Sequence, residues 1–196
     1  MAKNLPLYKA VINTEKQGME IISFVSDPAT EVMWQVFEKK EQPIKFSVEN
    51  EDKHIVRGVV MTANSPIYRV KDGFEFYIEY EPETIRYMAQ KYFADCFQNN
   101  VDTNHSFELQ DGVYLQEMFI KDTENGINPK GFEDVNDGSL FAQFKVENED
   151  IWSKIKDGTF KGFSLAGLFE IEPIDDEEQE FSECVELINK IKNMLK

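Results

Sequence analysis

The chain has 196 residues, of which 41% are hydrophobic, so it can bury one core of ordinary size but hardly a second full domain. Its 37 Asp and Glu residues outnumber 21 Lys and Arg residues, which gives a formal net charge of -16. Because such a charge repels phosphate backbones and anionic lipid surfaces, neither nucleic acid nor a membrane is expected as a partner.

The two cysteines, Cys96 and Cys184, have no paired spacing, which is typical of a reducing compartment. The N-terminal segment has no apolar core of signal-peptide length, and no run approaches the roughly 20 apolar residues that a membrane span needs. The sequence therefore predicts a cytosolic protein. No HExxH, CxxC, EF-hand or glycine-rich phosphate motif is present, so neither a metal nor a cofactor is predicted.

Alternating apolar residues predict strands through most of the N-terminal half. Within Leu7–Val25, the runs LYKAVI and MEIISFV are separated by the polar segment NTEKQG, which predicts a hairpin. Between Trp34 and Val48 either a further strand pair or a strand after an irregular connection is expected. The β-branched run HIVRGVVMTA and the runs IYRV and FEFYIEY predict three more strands.

The segment Glu81–Asn100 changes to a helical period and predicts a helix, with Pro82 at a place where the first helical turn tolerates a proline. Its apolar residues recur at spacings of three and four: Ile85, Met88, Ala89, Tyr92 and Phe93.

The C-terminal half predicts a strand VYLQEMFI, a polar surface loop over Lys121–Gly138, a strand SLFAQFKV, a short helix over Glu147–Lys156 and a strand that contains Ser164. Residues 1–173 are expected to form the main domain. Residues 174–180 then have the composition of an acidic linker. Residues 181–196 predict an amphipathic helix, which packs either on this domain or against a second copy or a partner.

Only two histidines can serve a mechanism that needs an imidazole at neutral pH. His54 lies in a charged turn next to Asp52 and Lys53, which favours a solvated surface role. His105 lies between Asn104 and Ser106 at the start of a predicted hairpin, where a side chain can face a cleft.

The segment KGFSLAGL places Ser164 among small residues. In an extended strand Gly162, Ser164 and Ala166 project to one face, which leaves room beside the hydroxyl for another backbone. A protease nucleophile needs this room, although a small-residue strand that packs closely under a helix would have the same pattern. The glycines are at the wrong offsets for a GxSxG nucleophile elbow.

A third group would orient the imidazole. Glu117 shares its predicted face with Val113, Leu115 and Phe119, and a carboxylate on an apolar face is costly unless it is paired. Glu117 is therefore the candidate partner of the histidine, and Asp122, just past the strand, is the alternative.

Several segments together resemble the prohead (capsid maturation) serine proteases of tailed phages, the XkdF-like group. They are FVSDPATE, RGVVMTANSPIYR, FYIEYEPETIRYMAQKYF, NHSF, VYLQEMFIKD and FKVENEDIWSKIKDGTFKGFSLAGLF, in this order over most of Ile21–Phe169. The resemblance implies a mixed α/β (α+β) fold with a closed or nearly closed antiparallel β-barrel flanked by helices, like herpesvirus assemblin. It implies a catalytic centre in which His105 and Ser164 match the family's histidine and serine, with the third member carried to Glu117 and Asp122 left open.

The function implied by this resemblance is that of a serine endopeptidase that cleaves scaffold and capsid-protein segments. The expected partners are the phage scaffold and the major capsid protein, with self-association through the C-terminal helix, and the expected location is the assembling prohead in the host cytoplasm. One alternative is a catalytically inactive capsid-assembly or scaffold-binding module of the same fold, in which His105 and Ser164 would lie beyond hydrogen-bonding reach. Another is a small acidic adaptor that binds basic partners in a salt-sensitive way.

Overall fold

A computed structural model describes residues 5–28, 47–50, 53–71 and 73–174. The predicted C-terminal helix over residues 181–196, nearly all of the predicted acidic linker and most of the strand or strand pair expected between Trp34 and Val48 lie outside these residues. Within them the strands are β1 (Leu7–Val11), β2 (Gly18–Val25), β3 (Ser47–Asn50), β4 (Ile55–Met61), β5 (Ile67–Lys71), β6 (Phe74–Glu79), β7 (Val101–Thr103), β8 (Val113–Ile120), β9 (Leu140–Val146), β10 (Gly162–Leu168) and β11 (Glu170–Pro173). The helices are α1 (Pro82–Ala94) and α2 (Glu149–Lys156).

The described strands form three sheets, with the orders β11-β1-β6-β5, β10-β2-β7 and β3-β4-β9-β8. None of them closes, so the predicted closed or nearly closed antiparallel barrel is wrong. The pairs β1–β6 and β2–β7 are also parallel rather than antiparallel. Closure fails between the second and third sheets because β10 packs beside β4 across a narrow cavity, lined by side chains of both strands, instead of forming a ladder with it.

The predicted hairpin over Leu7–Val25 is also wrong, although both of its strands exist. β1 pairs with β11 and β6, whereas β2 pairs with β10 and β7. The buried Gln17 holds the connection: its Oε1 accepts hydrogen bonds from the backbone N–H groups of Asn13 (2.6 Å) and Thr14 (3.0 Å), and its amide donates to Glu170 (2.7 Å). These bonds fix a turn from which the chain enters a different sheet.

Both helices predicted within the described residues are confirmed, although α1 ends at Ala94 and not at the predicted Asn100. α1 begins with Pro82, and its buried face packs against β2. α2 begins two residues later than predicted because Asn148 caps it: the Asn148 side chain accepts hydrogen bonds from the N–H groups of Asp150 and Ile151, both at 3.1 Å.

A cluster of phenylalanines forms the core beneath the second sheet. Phe24 of β2 lies directly opposite Phe163 of β10, with ring centroids 5.0 Å apart, and both rings pack edge-on against Phe144 of β9. Aromatic pairs of this geometry contribute roughly 0.5–1.5 kcal/mol each beyond the burial of their area. The cluster therefore favours one register between β2 and β10.

A close backbone approach sets the far end of the same strand pair. A register shift separates Ala166 from Gly167, and a Cβ at Gly167 would lie only 2.1 Å from the carbonyl oxygen of Gly18 and 2.9 Å from the Cα of Met19. Because the obstructing atoms are backbone, only glycine fits at position 167.

We predict that Gly167→Ala separates β2 from β10 at this end and lowers the free energy of unfolding by at least about 3 kcal/mol, since neither backbone can yield without breaking the ladder. Urea unfolding measures the loss. Gly131→Ala is the control without a clash: a Cβ there meets nothing within 4 Å, so the strain of its left-handed backbone, about 1 kcal/mol, is its whole cost. Equal losses in the two variants would contradict the proposed clash.

Candidate active site

Two serines face each other across the β2–β10 ladder. Ser164 of β10 is directly opposite Ser23 of β2, so both side chains project to the same face, away from Phe24 and Phe163. Ser23 is fully buried, whereas Ser164 is partly exposed. The pair thus extends from the interior to the surface.

The imidazole of His105 bridges these two hydroxyls. Its Nε2 is 3.0 Å from Ser164 Oγ, and its Nδ1 is 3.0 Å from Ser23 Oγ. The residues that the sequence singled out as nucleophile and base, 59 positions apart, are therefore in hydrogen-bonding contact. A ring held at both nitrogens has one orientation, which a proton acceptor for Ser164 requires.

The turn after β7 delivers His105. The N–H of Asn104 donates to the carbonyl of Phe24 (2.9 Å), and the Asn104 side chain accepts a hydrogen bond from the N–H of Ser26 (3.0 Å). The N–H of Phe107 donates to the carboxylate of Asp102 (2.7 Å). These contacts tie the turn to both β2 and β7. β7 pairs with β2 and not with β8, so the predicted hairpin that begins at His105 is not formed.

The backbone of this turn is strained. Asn104, His105 and Phe107 have φ angles of 51°, 55° and 59°, in the left-handed region that non-glycine residues rarely adopt. Each such residue costs on the order of 1 kcal/mol or more and persists only where its surroundings hold it. The hydrogen bonds to Asp102 and Asn104 are what hold it here.

The structure does not bring Glu117 to His105. The Glu117 side chain is exposed in the third sheet, and its Oε2 is 3.9 Å from Nη2 of Arg57. A register shift between Leu115 and Glu117 breaks the alternation of β8, so after it Met118 and Ile120 face the main core. Glu117 therefore does not share the face of Leu115, on which its selection depended.

Asp122 is not at the site either. Its carboxylate accepts hydrogen bonds from the side chain of Asn125 (2.7 Å) and from the Asn125 N–H (3.1 Å), and these bonds lower the pKa of Asp122. The residue shapes the start of the loop after β8.

His54 has a packing role rather than the solvated surface role predicted for it. Its ring is half-buried, stacks on Trp152 at a centroid distance of 4.5 Å and has Nδ1 3.2 Å from the carbonyl oxygen of Val146.

Sequence reasoning missed Ser23. The available signal was that Ser23 is the one polar residue in the apolar run Ile21–Val25, which predicts a strand buried on both faces. A polar group in such a position needs a hydrogen-bond partner, which His105 supplies.

A narrow cavity of about 20 Å³ opens beside Ser164, between β4 and β10, and has room for about one water-sized group. Thr62, Arg69 and Tyr80 are among the residues that line this cavity. The Thr62 Oγ1 is buried and has no hydrogen-bond partner within the described structure. Burial raises the pKa of Tyr80 to about 12, so its hydroxyl stays protonated at neutral pH.

Serine hydrolases use a serine hydroxyl as nucleophile and a contacting imidazole as general base, with the second ring nitrogen hydrogen-bonded to a further group. Ser164, His105 and Ser23 have this arrangement. Residues 43–172 match the model of the family described as "Putative phage serine protease XkdF", and the chain belongs to this family. The matched span contains His105 and Ser164 but not Ser23.

No curated protein and no solved structure gives a significant match to the chain. Among the described residues, neither helix has the length and apolar character needed to cross a bilayer.

The strain in the His105 turn is testable at Asn104. We predict that Asn104→Ala, which loses the acceptor for Ser26 and keeps a Cβ in the left-handed region, is less stable than Asn104→Gly by about 1 kcal/mol. Both variants lose the same hydrogen bond, so their difference in urea unfolding reports backbone strain alone. Equal stability would show that the turn is relaxed at this position.

Proposed function

We propose that the chain is a serine endopeptidase that cleaves scaffold and capsid-protein segments within the assembling prohead. The observation that carries the proposal is the contact of His105 with Ser164 on one side and Ser23 on the other, each at 3.0 Å. Membership of a phage serine protease family supports peptide-bond hydrolysis as the reaction.

In the proposed mechanism, His105 Nε2 accepts the proton of Ser164 as Oγ attacks the peptide carbonyl. The imidazolium then gives this proton to the leaving amine, and a water molecule repeats the sequence to release the acyl group. For Nε2 to accept, the ring proton must be on Nδ1, from which it donates to Ser23 Oγ. Ser23 therefore takes the orienting role that the sequence had assigned to Glu117.

The surroundings of Ser164 suit a polypeptide substrate. The small residues Gly162 and Ala166 flank the serine on its own face, which leaves room for another backbone beside its hydroxyl. Phe107 and Leu109, on the loop that follows His105, are 69% and 55% exposed and offer apolar contacts to an extended chain. The net charge of -16 favours basic segments.

A catalytically inactive assembly module of this fold has no requirement for the contact between Ser164 and His105. The spacing of 3.0 Å, held by a strained turn, gives that alternative no support.

We predict that Ser164→Ala lowers processing of the co-expressed scaffold and major capsid protein of the same phage by at least about 10³-fold, because no other group replaces the attacking oxygen. Gel electrophoresis and intact mass measure the cleaved products, and a fluorophosphonate probe measures labelling of Ser164 directly.

Ser153→Ala, which removes an exposed hydroxyl on α2, is the matched control and is expected to process at the wild-type rate. Cleavage by Ser164→Ala at the rate of Ser153→Ala would refute the nucleophile assignment. Absence of both cleavage and labelling in the wild-type chain would favour the inactive module.

A further inference from the structure

The carboxylate of Asp102 is fully buried at the centre of β7. Its Oδ2 accepts the hydrogen bond from the Phe107 N–H at 2.7 Å, whereas its Oδ1 is buried without a partner in the described part of the chain. A buried carboxylate oxygen that lacks a donor has lost its hydration without a replacement, which destabilises the folded chain. Support of the turn accounts for only one of the two oxygens.

Asp102 is the register partner of Ser23 in the parallel β2–β7 ladder, and both residues are fully buried. Side chains paired in this way project to the same face of a sheet. Ser23 thus contacts His105 and has Asp102 beside it at the paired position of the neighbouring strand β7.

Ser23 and Asp102 are complementary in hydrogen bonding, because one has a hydrogen to donate and the other has an oxygen that can accept it. When the His105 Nδ1–H donates to Ser23 Oγ, the hydroxyl hydrogen of Ser23 is left without an acceptor among its contacts, which consist of this one bond. Asp102 Oδ1 in turn has no donor among the residues that the structure describes.

We propose, resting on the proposed function, that Asp102 is a positioning residue: the Ser23 hydroxyl donates to a water that in turn donates to Asp102 Oδ1, and this link carries the effect of the carboxylate to His105. The order of groups is then Ser164, His105, Ser23 and Asp102. The negative charge stabilises the imidazolium that forms when His105 takes the Ser164 proton, although the carboxylate does not contact the ring.

Apart from Arg69, which lines the cavity beside Ser164 and is partly buried, the other charged residues around His105 in the described structure are exposed. Within β2, β7 and β10 the charged residues are Glu20 and Asp102, and Glu20 is exposed. Glu108 on the His105 loop, Asp27 after β2 and Lys161 before β10 are exposed as well. Solvent and salt screen exposed charges, so among these acidic groups Asp102 is the one that acts through a low dielectric.

Asp102→Asn separates the two roles of this residue, because an asparagine oxygen still accepts from the Phe107 N–H while the charge is gone. We expect the NMR titration midpoint of the His105 ring to lie at lower pH in Asp102→Asn than in the parent chain, because the negative charge that favours the imidazolium is gone. The acidic limb of kcat/KM should move in the same direction, and kcat should fall roughly 10- to 100-fold with little change in KM. Of the two histidine signals, that of His105 is identified by its loss in His105→Gln.

Glu108→Gln, which removes an exposed carboxylate from the same loop, is the matched control and should leave the His105 midpoint in place. An unmoved midpoint in folded Asp102→Asn would overturn the proposal and leave Asp102 as a support of the turn. The titration is measured in Ser164→Ala and needs no turnover, so a wild-type chain without protease activity would refute the proposed function and not this result.

Ser23 supplies the second test, which holds even if Asp102→Asn fails to fold. Ser23→Ala should lower the His105 midpoint, and Ser23→Thr, which keeps a hydroxyl, should restore it. In the Ser23→Ala background, adding Asp102→Asn should change kcat less than about twofold, because the connecting hydroxyl is already gone. A His105 midpoint that is the same in Ser23→Ala as in the wild type, or a full effect of Asp102→Asn without Ser23, would overturn the connection.

Discussion

The register between β2 and β10 is the constraint on which the candidate active site depends. Phe24 and Phe163 meet on the buried face, so Ser23 and Ser164 meet on the opposite face. A slip of β10 by one residue relative to β2 would turn Phe163 out of the core and take Ser164 away from Ser23. The aromatic cluster therefore sets the spacing of two polar groups that it does not touch, and the close approach of Gly167 to Gly18 limits the ladder at its other end.

β2 is also the central strand of its sheet, and the nucleophile and the base approach it from opposite sides. Ser164 comes from β10, the antiparallel neighbour, and His105 comes from the turn after β7, the parallel neighbour. Strain in that turn is offset by bonds to β2 and to Asp102. The site is therefore rigid where the ring must be held, and partly exposed where a substrate must reach Ser164.

In a Ser-His-Asp triad the carboxylate contacts the imidazole, whereas in the proposed site Ser23 lies between His105 and the carboxylate of Asp102. Ser23 presents a neutral oxygen to Nδ1, and the buried Asp102 stands beside it in the neighbouring strand. One oxygen of Asp102 accepts from the turn that carries His105, and we propose that the other accepts from the water that links it to Ser23. Burial strengthens both, because a low dielectric screens charge poorly.

The sequence by itself determined most helices and strands, together with the two residues best suited to the chemistry. Periodicity is local, so β4, β6, α1, β8 and β9 follow from it, and an imidazole and a serine flanked by small residues are visible without a structure. Only the tertiary structure decided which strands are neighbours. β1 and β2 are consecutive but enter different sheets because Gln17 fixes the turn between them, and the gap beside β10 leaves the sheets open. The shift at Leu115 removed Glu117 from its predicted face, whereas Ser23 gained its role from partners about 80 and 140 positions away, which no local pattern contains.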